Sequence, residues 1–87
     1  MRKKEKFIIR KIGDSYVMIP VGTTSTKFNG MITANDSAAF IWEHIEEVNS
    51  VEELIEMVCE EFEVDSERAR EDCEKLVVQM KKAGWIE

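Results

Sequence analysis

Apolar positions follow two different periods along the chain. Between residues 7 and 34 they alternate, and from residue 35 onward they recur every three or four residues. Phe7-Ile-Ile-Arg-Lys-Ile12 predicts a strand, and Gly13-Asp14 after it a two-residue hairpin turn, because glycine accepts the positive φ that a tight turn demands. Ser15-Tyr-Val-Met-Ile-Pro-Val21 predicts the second strand, with Val17, Ile19 and Val21 on one face. Pro20 has no N–H to give to a ladder and belongs at an edge or a strand end. Gly22-Thr-Thr-Ser-Thr26 reads as a polar loop. The third strand is expected over 28–33, with Phe28, Gly30 and Ile32 on one face and Asn29, Met31 and Thr33 on the other.

Asn35 suits the cap of a first helix, since its side chain can accept from the free N–H groups of the first turn. Ala38, Ile41, Trp42, Ile45 and Val48 then form the apolar stripe, and Asn49-Ser50 breaks it. Ser50-Val-Glu-Glu53 is a capping box that opens a second helix carrying Val51, Leu54, Ile55, Val58, Cys59 and Phe62 inward. Glu63-Val64 ends that helix. Asp65 or Ser66 caps the third, whose inward residues are Ala69, Cys73, Leu76, Val77 and Met80. Gly84 is the stop, and Trp85-Ile86 is expected to fold back onto the core.

Three strands followed by three helices is an α+β layout in one domain over residues 1–87, with residues 1–6 expected to be flexible. A three-stranded antiparallel sheet has two open edges, and one of them must lie beside helical surface. An open edge is a template for another strand, so the layout points to peptide capture by strand addition.

Composition narrows the class. Hydrophobic content of 44% with 34% charged residues fits a soluble globular domain in 87 residues. Such a chain buries only about 60–65% of its unfolded surface, so a partner or a homodimer would help it. No apolar run approaches a membrane span and no secretory signal opens the chain, which makes the cytoplasm the expected compartment and a membrane an unexpected partner. The net charge of −6 is divided unevenly: +5 over residues 1–34 and −11 over residues 35–87. Helices this acidic would repel phosphate, so nucleic acid is not the expected partner.

Candidate chemistry is sparse. Cys59 and Cys73 both fall on apolar helical stripes and read as reduced core thiols. One histidine, His44, and no C-x-x-C spacing leave too few ligands for zinc, so neither a metal nor a cofactor is expected. Ser37, His44, Cys59 and Cys73 form no nucleophile–base pairing by spacing, and no catalytic residue is assigned. Asp36-Ser37 at a helix start also fits a phosphopantetheine carrier protein, although carriers are all-helical. On a helical wheel with Ala69 at zero, Val77 lies at about 80°, Arg70 about 100°, Lys81 about 120°, Glu74 about 140° and Val78 about 180°. That flank of the third helix offers apolar surface rimmed by both signs of charge. The opposite flank, with Arg68, Asp72, Lys75, Gln79 and Lys82, is polar throughout.

Val17-Met-Ile-Pro-Val-Gly22, Phe28-Asn-Gly30, Asn35-Asp-Ser-Ala-Ala-Phe-Ile-Trp42, Phe62-Glu-Val-Asp65 and Gly84-Trp-Ile86 together resemble the pyrroloquinoline quinone biosynthesis protein D (PqqD-like) family. The resemblance runs over roughly residues 7–86 and rests on the order and spacing of these stretches. It implies a winged-helix-like fold. It also implies a non-enzymatic peptide chaperone, a recognition element for ribosomally made and modified peptides. Such a module binds the leader segment of a precursor peptide and presents it to a modifying enzyme, a radical S-adenosylmethionine enzyme or a leader peptidase. The leader would be held as an added strand between the third strand and the third helix.

Carried onto this chain, the resemblance makes Asn29, Met31 and Thr33 on the strand, and Arg70, Glu74, Val77, Val78 and Lys81 on the helix, the peptide-binding candidates; Gly30 joins them as a strand position where the backbone would lie close to a ligand strand or a packed aromatic and a Cβ would be unwelcome. Ala34 stands where the family usually has a larger apolar residue, and Cys73 where a branched aliphatic is common. Both changes shrink the core locally. The same arrangement of elements also serves winged-helix nucleic-acid-binding domains, which is the alternative reading.

Overall fold

The computed structural model describes residues 1–28 and 30–87. Asn29, one of the residues expected on the open strand, lies outside the described residues. Strands β1 (Phe7–Ile12) and β2 (Ser15–Pro20) pair antiparallel around Gly13, with Ile12 opposite Ser15. Gly13 has φ 62° at the first turn position, which suits the right-handed twist of the two strands. Strand β3 (Ile32–Ala34) pairs antiparallel with β2, so the sheet order is β1-β2-β3.

The third strand is therefore shorter than the 28–33 expected from alternation, and it is displaced toward the helices. Gly30 sits at φ 77°, outside the extended region, and breaks the strand before Ile32. Phe28 turns inward instead. Its ring lies 5.9 Å from Phe7 and 6.0 Å from Trp85. Residues Gly22–Thr26, expected as a loop, form a 3-10 turn. Thr24 within it is buried, accepting from the Lys6 N–H at 2.7 Å and donating to Glu5 at 2.8 Å. The Lys27 ammonium, with Thr24, holds the Glu5 carboxyl below its usual range.

Helix α1 (Asp36–His44) is capped by Asn35, whose Oδ1 accepts from the Ala38 N–H at 2.8 Å. A 3-10 turn, Ile45–Glu47, carries its apolar stripe on to Val48. Helix α2 (Val51–Phe62) starts at Ser50, which accepts from Glu53 N–H at 3.3 Å. The reciprocal bond of the expected capping box is shifted by one residue: Glu53 accepts from the N–H of Asn49 at 3.4 Å. Helix α3 (Ser66–Lys82) begins at Asp65, which accepts from Arg68 N–H at 2.9 Å. It ends with Gly84 at φ 78°, where Gly84 N–H donates to Lys81 and Trp85 N–H to Met80, a paired closure of the last turn. Removing the α3 cap in Asp65→Ala is expected to lower stability by about 1 kcal/mol. The check is a lower urea midpoint at unchanged slope.

The helices cover one face of the sheet. Trp42, Ile41, Ile45, Leu54 and Cys73 are fully buried between helices and sheet, with Phe7, Met18 and Ala34 as the sheet's contribution. Trp85 and Ile86 do fold back: the Trp85 ring packs at a tilt against Phe7, 4.6 Å between centroids, and Ile86 is buried. They take the N-terminal segment with them. Lys3 bridges to Ile86, Lys4 N–H donates to Trp85, and Glu87 N–H donates to Arg2. Residues 1–6, expected to be flexible, are thus docked, because the C-terminal segment supplies them with backbone partners.

Candidate functional site

The hydrogen-bond register decides which backbone groups of β3 are free. Val21 N–H donates to Lys6 at 3.1 Å, continuing the β1–β2 register beyond the strands. Antiparallel ladders alternate, so Val21, Ile19, Val17 and Ser15 turn their N–H and C=O toward β1, and Pro20, Met18 and Tyr16 turn theirs toward β3. Pro20 thus directs its missing donor past the end of β3, which explains how a proline is tolerated on the central strand. Tyr16 is opposite Ala34, Val17 opposite Thr33 and Met18 opposite Ile32. Ala34 and Ile32 therefore bond to β2, whereas the N–H and C=O of Thr33 face away, along the open edge.

Beside that edge runs a cleft of about 490 Å³ between β3 and α3. Met18, Ile32, Ala38, Leu76, Met80 and Trp85 give it an apolar lining, and Asn35, Ser37, Asp72, Lys75 and Gln79 a polar rim. A second cleft of about 650 Å³ continues it toward the hairpin turn. The two share Thr33, Ala34, Asn35, Ser37 and Asp72, so one groove follows the β3 edge from Trp85 to Asp14.

The α3 side of this groove is not the flank chosen from the helical wheel. Arg70 makes a bidentate ion pair with Glu52 on α2, at 2.9 and 2.8 Å, which lowers the pKa of Glu52. Arg70's flank therefore faces α2. Val77, expected as the groove floor, is 3% exposed and belongs to the core. Val78, Glu74 and Lys81 are exposed, but none of them lines either cleft. The polar flank, set aside from its composition, is the one beside β3: Asp72, Lys75 and Gln79 line the groove with Leu76. On the strand side Thr33 lines both clefts, and Met31 is exposed just before β3. Gly30 is exposed, and a Cβ there would meet nothing within 4 Å. Its reason for being glycine is its positive φ, and not the close approach of another backbone.

The reactive side chains are otherwise engaged. Ser37 donates to Asn35 in the α1 cap, and His44 pairs with Glu47 at 2.7 Å. Burial raises the Cys73 thiol to about 11, so it stays protonated at neutral pH. Among the described residues no group of His, Cys, Asp or Glu is placed to hold a metal, and no helix is long and apolar enough to cross a membrane.

Residues 15–86, which include β2, the open strand and all three helices, match the family described as Coenzyme PQQ synthesis protein D (PqqD). The chain belongs to the PqqD family. The resemblance carried by Val17–Gly22, Asn35–Trp42 and Gly84–Ile86 is thereby borne out. No curated protein matches the chain. Among solved structures, "TbiB1 in Complex with the TbiA(beta) Leader Peptide" is similar, with a TM-score of 0.67 at 20% identity over 100% of this chain and 95% of that one. At that identity the likeness establishes the shared fold. This PqqD-family chain has the expected α+β architecture, a three-stranded antiparallel sheet followed by three helices.

Proposed function

We propose that this PqqD-family chain is a non-catalytic recognition module for the leader segment of a ribosomally made precursor peptide. The leader adds as a strand to the β3 edge, between β3 and α3, and is presented to a modifying enzyme, a radical S-adenosylmethionine enzyme or a leader peptidase. The observation that carries this reading is the outward-facing backbone of Thr33, unpaired among the described residues, beside an apolar-floored groove. Main-chain bonds to such an edge give affinity, and the pockets beside it choose side chains. Family membership supports the reading, as does the leader peptide named with the similar TbiB1 structure. We place the helix side of the proposed site at Asp72, Lys75, Leu76 and Gln79, the α3 residues that line the groove. Gly30, Met31 and Thr33 remain on the strand side. The alternative, nucleic-acid binding through α3, finds two of that helix's cations already committed: Arg70 to Glu52 and Arg68 to Asp72.

Thr33→Pro tests strand addition directly. It deletes the outward N–H without removing a β2–β3 bond, and edge strands accept proline. The leader for calorimetry is that of a precursor peptide sought in the neighbourhood of this chain's gene, and the lack of any such precursor there counts against the reading. The variant should melt cooperatively and bind the leader at least about tenfold more weakly, as fits the loss of a hydrogen bond worth about 1.5 kcal/mol. Parental affinity in a folded Thr33→Pro chain would remove the β3 edge from the site.

A further inference from the structure

The groove beside β3 changes chemistry along its length. Around Leu76, Met80 and Trp85 its charges balance, Lys75 against Asp72. Toward the hairpin turn they do not. There the cleft of about 650 Å³ has an apolar floor of Val58, Phe62 and Val64 under three carboxylates, Asp14, Asp36 and Asp72, with Arg68 as the one cation of its lining. Val64 is 38% exposed, and Phe62 is half-buried, braced by Phe40 in a T-shaped contact. Arg68 lies 3.8 Å from Asp72. Asp14 and Asp36 are exposed, and neither is in an ion pair among the described residues. Asp36 also suits the N-terminus of α1. Asp14 and Asp72 come from other elements, and the fold brings all three to one cleft.

The position of the cleft determines what enters it. Thr33 lines both clefts, and the pairing of Tyr16 with Ala34 sets the hairpin turn beyond the end of β3. A strand bonded to the outward backbone of Thr33 advances about 3.3 Å per residue, so a few residues carry it past Ala34 into this cleft. We propose that the cleft is a specificity pocket for a basic side chain, lysine or arginine, on the stretch of bound peptide that runs past Thr33 toward the hairpin turn. The proposal rests on the strand-addition reading above and adds the chemistry of one flank of the peptide. The aliphatic stem of such a side chain covers Phe62 and Val64. Its charged head meets Asp14 and Asp36, the carboxylates left without a cation. An acidic side chain in the same place is repelled by the excess of carboxylates, which rejects peptides of the wrong charge.

The probe is a random-sequence peptide library displayed on phage and selected on the full chain. Selected peptides are sorted by whether Thr33→Pro removes their binding, which picks out those held at the β3 edge. In that set a lysine or arginine should recur at one flank. Asp14→Asn combined with Asp36→Asn should weaken such a peptide by about tenfold, each exposed ion pair being worth about threefold. The loss should vanish when the basic residue of the peptide is replaced by glutamine. Glu43→Gln combined with Glu56→Gln removes the same charge from exposed positions outside both clefts and should leave affinity unchanged. Circular dichroism checks that every variant folds. Thr33-dependent peptides with no basic flank overturn the proposal. So does parental affinity in the Asp14→Asn, Asp36→Asn chain, or equal weakening in the Glu43→Gln, Glu56→Gln chain. A library that yields no Thr33-dependent peptide sinks the strand-addition reading instead, and the Thr33→Pro sort tells the two failures apart.

Discussion

Leu76→Asp is expected to abolish leader binding in a chain that remains folded. Leu76 is half-buried, one wall of the groove beside Thr33, and its side chain borders solvent in the free protein. An aspartate there stays hydrated until a peptide arrives. Binding would then strip water from an unpaired carboxylate, at a cost of several kcal/mol. Each 1.4 kcal/mol is about tenfold in affinity, so a loss of more than about a hundredfold follows. Calorimetry at leader concentrations that saturate the parent should show no heat, while the far-ultraviolet spectrum and a cooperative melt persist. Binding within about tenfold of the parent would show that the peptide does not cover Leu76.

The neighbouring substitution should fail in the opposite way. Val77→Asp is expected to cost the fold. Val77 is 3% exposed in a core shared with Leu54, Val58 and Cys73. A carboxyl there has no partner and is desolvated whether or not a ligand is present, again at several kcal/mol. A small domain has only about 5–15 kcal/mol to lose, and one of this size lies toward the lower end. Thermal denaturation followed by circular dichroism should show no cooperative transition, or one lowered by tens of degrees. If Val77→Asp instead melts like the parent and loses only leader binding, then Val77 lines the groove and the flank read from the helical wheel is right. The two variants, one residue apart, thus decide which side of α3 meets the peptide.

Most of the fold was legible because its signals are local. The Gly13 turn, the caps at Asn35 and Asp65, and the Gly84 stop each depend on residues within a turn of one another, and each forms as read. The misread strand had a local cause too. Gly30 fits an alternating pattern equally well as a strand residue or as a residue at positive φ, and only the latter ends the strand. The contacts of residues 1–6 are not legible for the reverse reason: their partners, Trp85 and Ile86, stand at the far end of the sequence.

The groove beside β3 was legible in kind and not in place. An open strand edge beside helical surface followed from counting elements. The wheel of the third helix correctly separated an apolar face from two flanks. Which flank turns toward β3 depends on where α2 packs, and no residue of α3 states that alone. The Arg70–Glu52 pair shows the outcome: α2 takes the flank of Arg70 and Val77, leaving Asp72, Leu76 and Gln79 to the strand. Polarity misled here, because a groove wall that meets both solvent and peptide need not be apolar along its rim.

By itself, the sequence determined the order of elements, their caps and turns, the separation of a basic sheet half from an acidic helical half, and the family. These depend on residues close in the chain, or on composition, where backbone geometry and side-chain periodicity act without tertiary context. Tertiary structure alone decided the hydrogen-bond parity that frees Thr33, the docking of residues 1–6 on Trp85 and Ile86, and the flank of α3 that walls the groove. Each of those depends on how two distant segments are set against each other, and such a register is fixed only when the whole core closes.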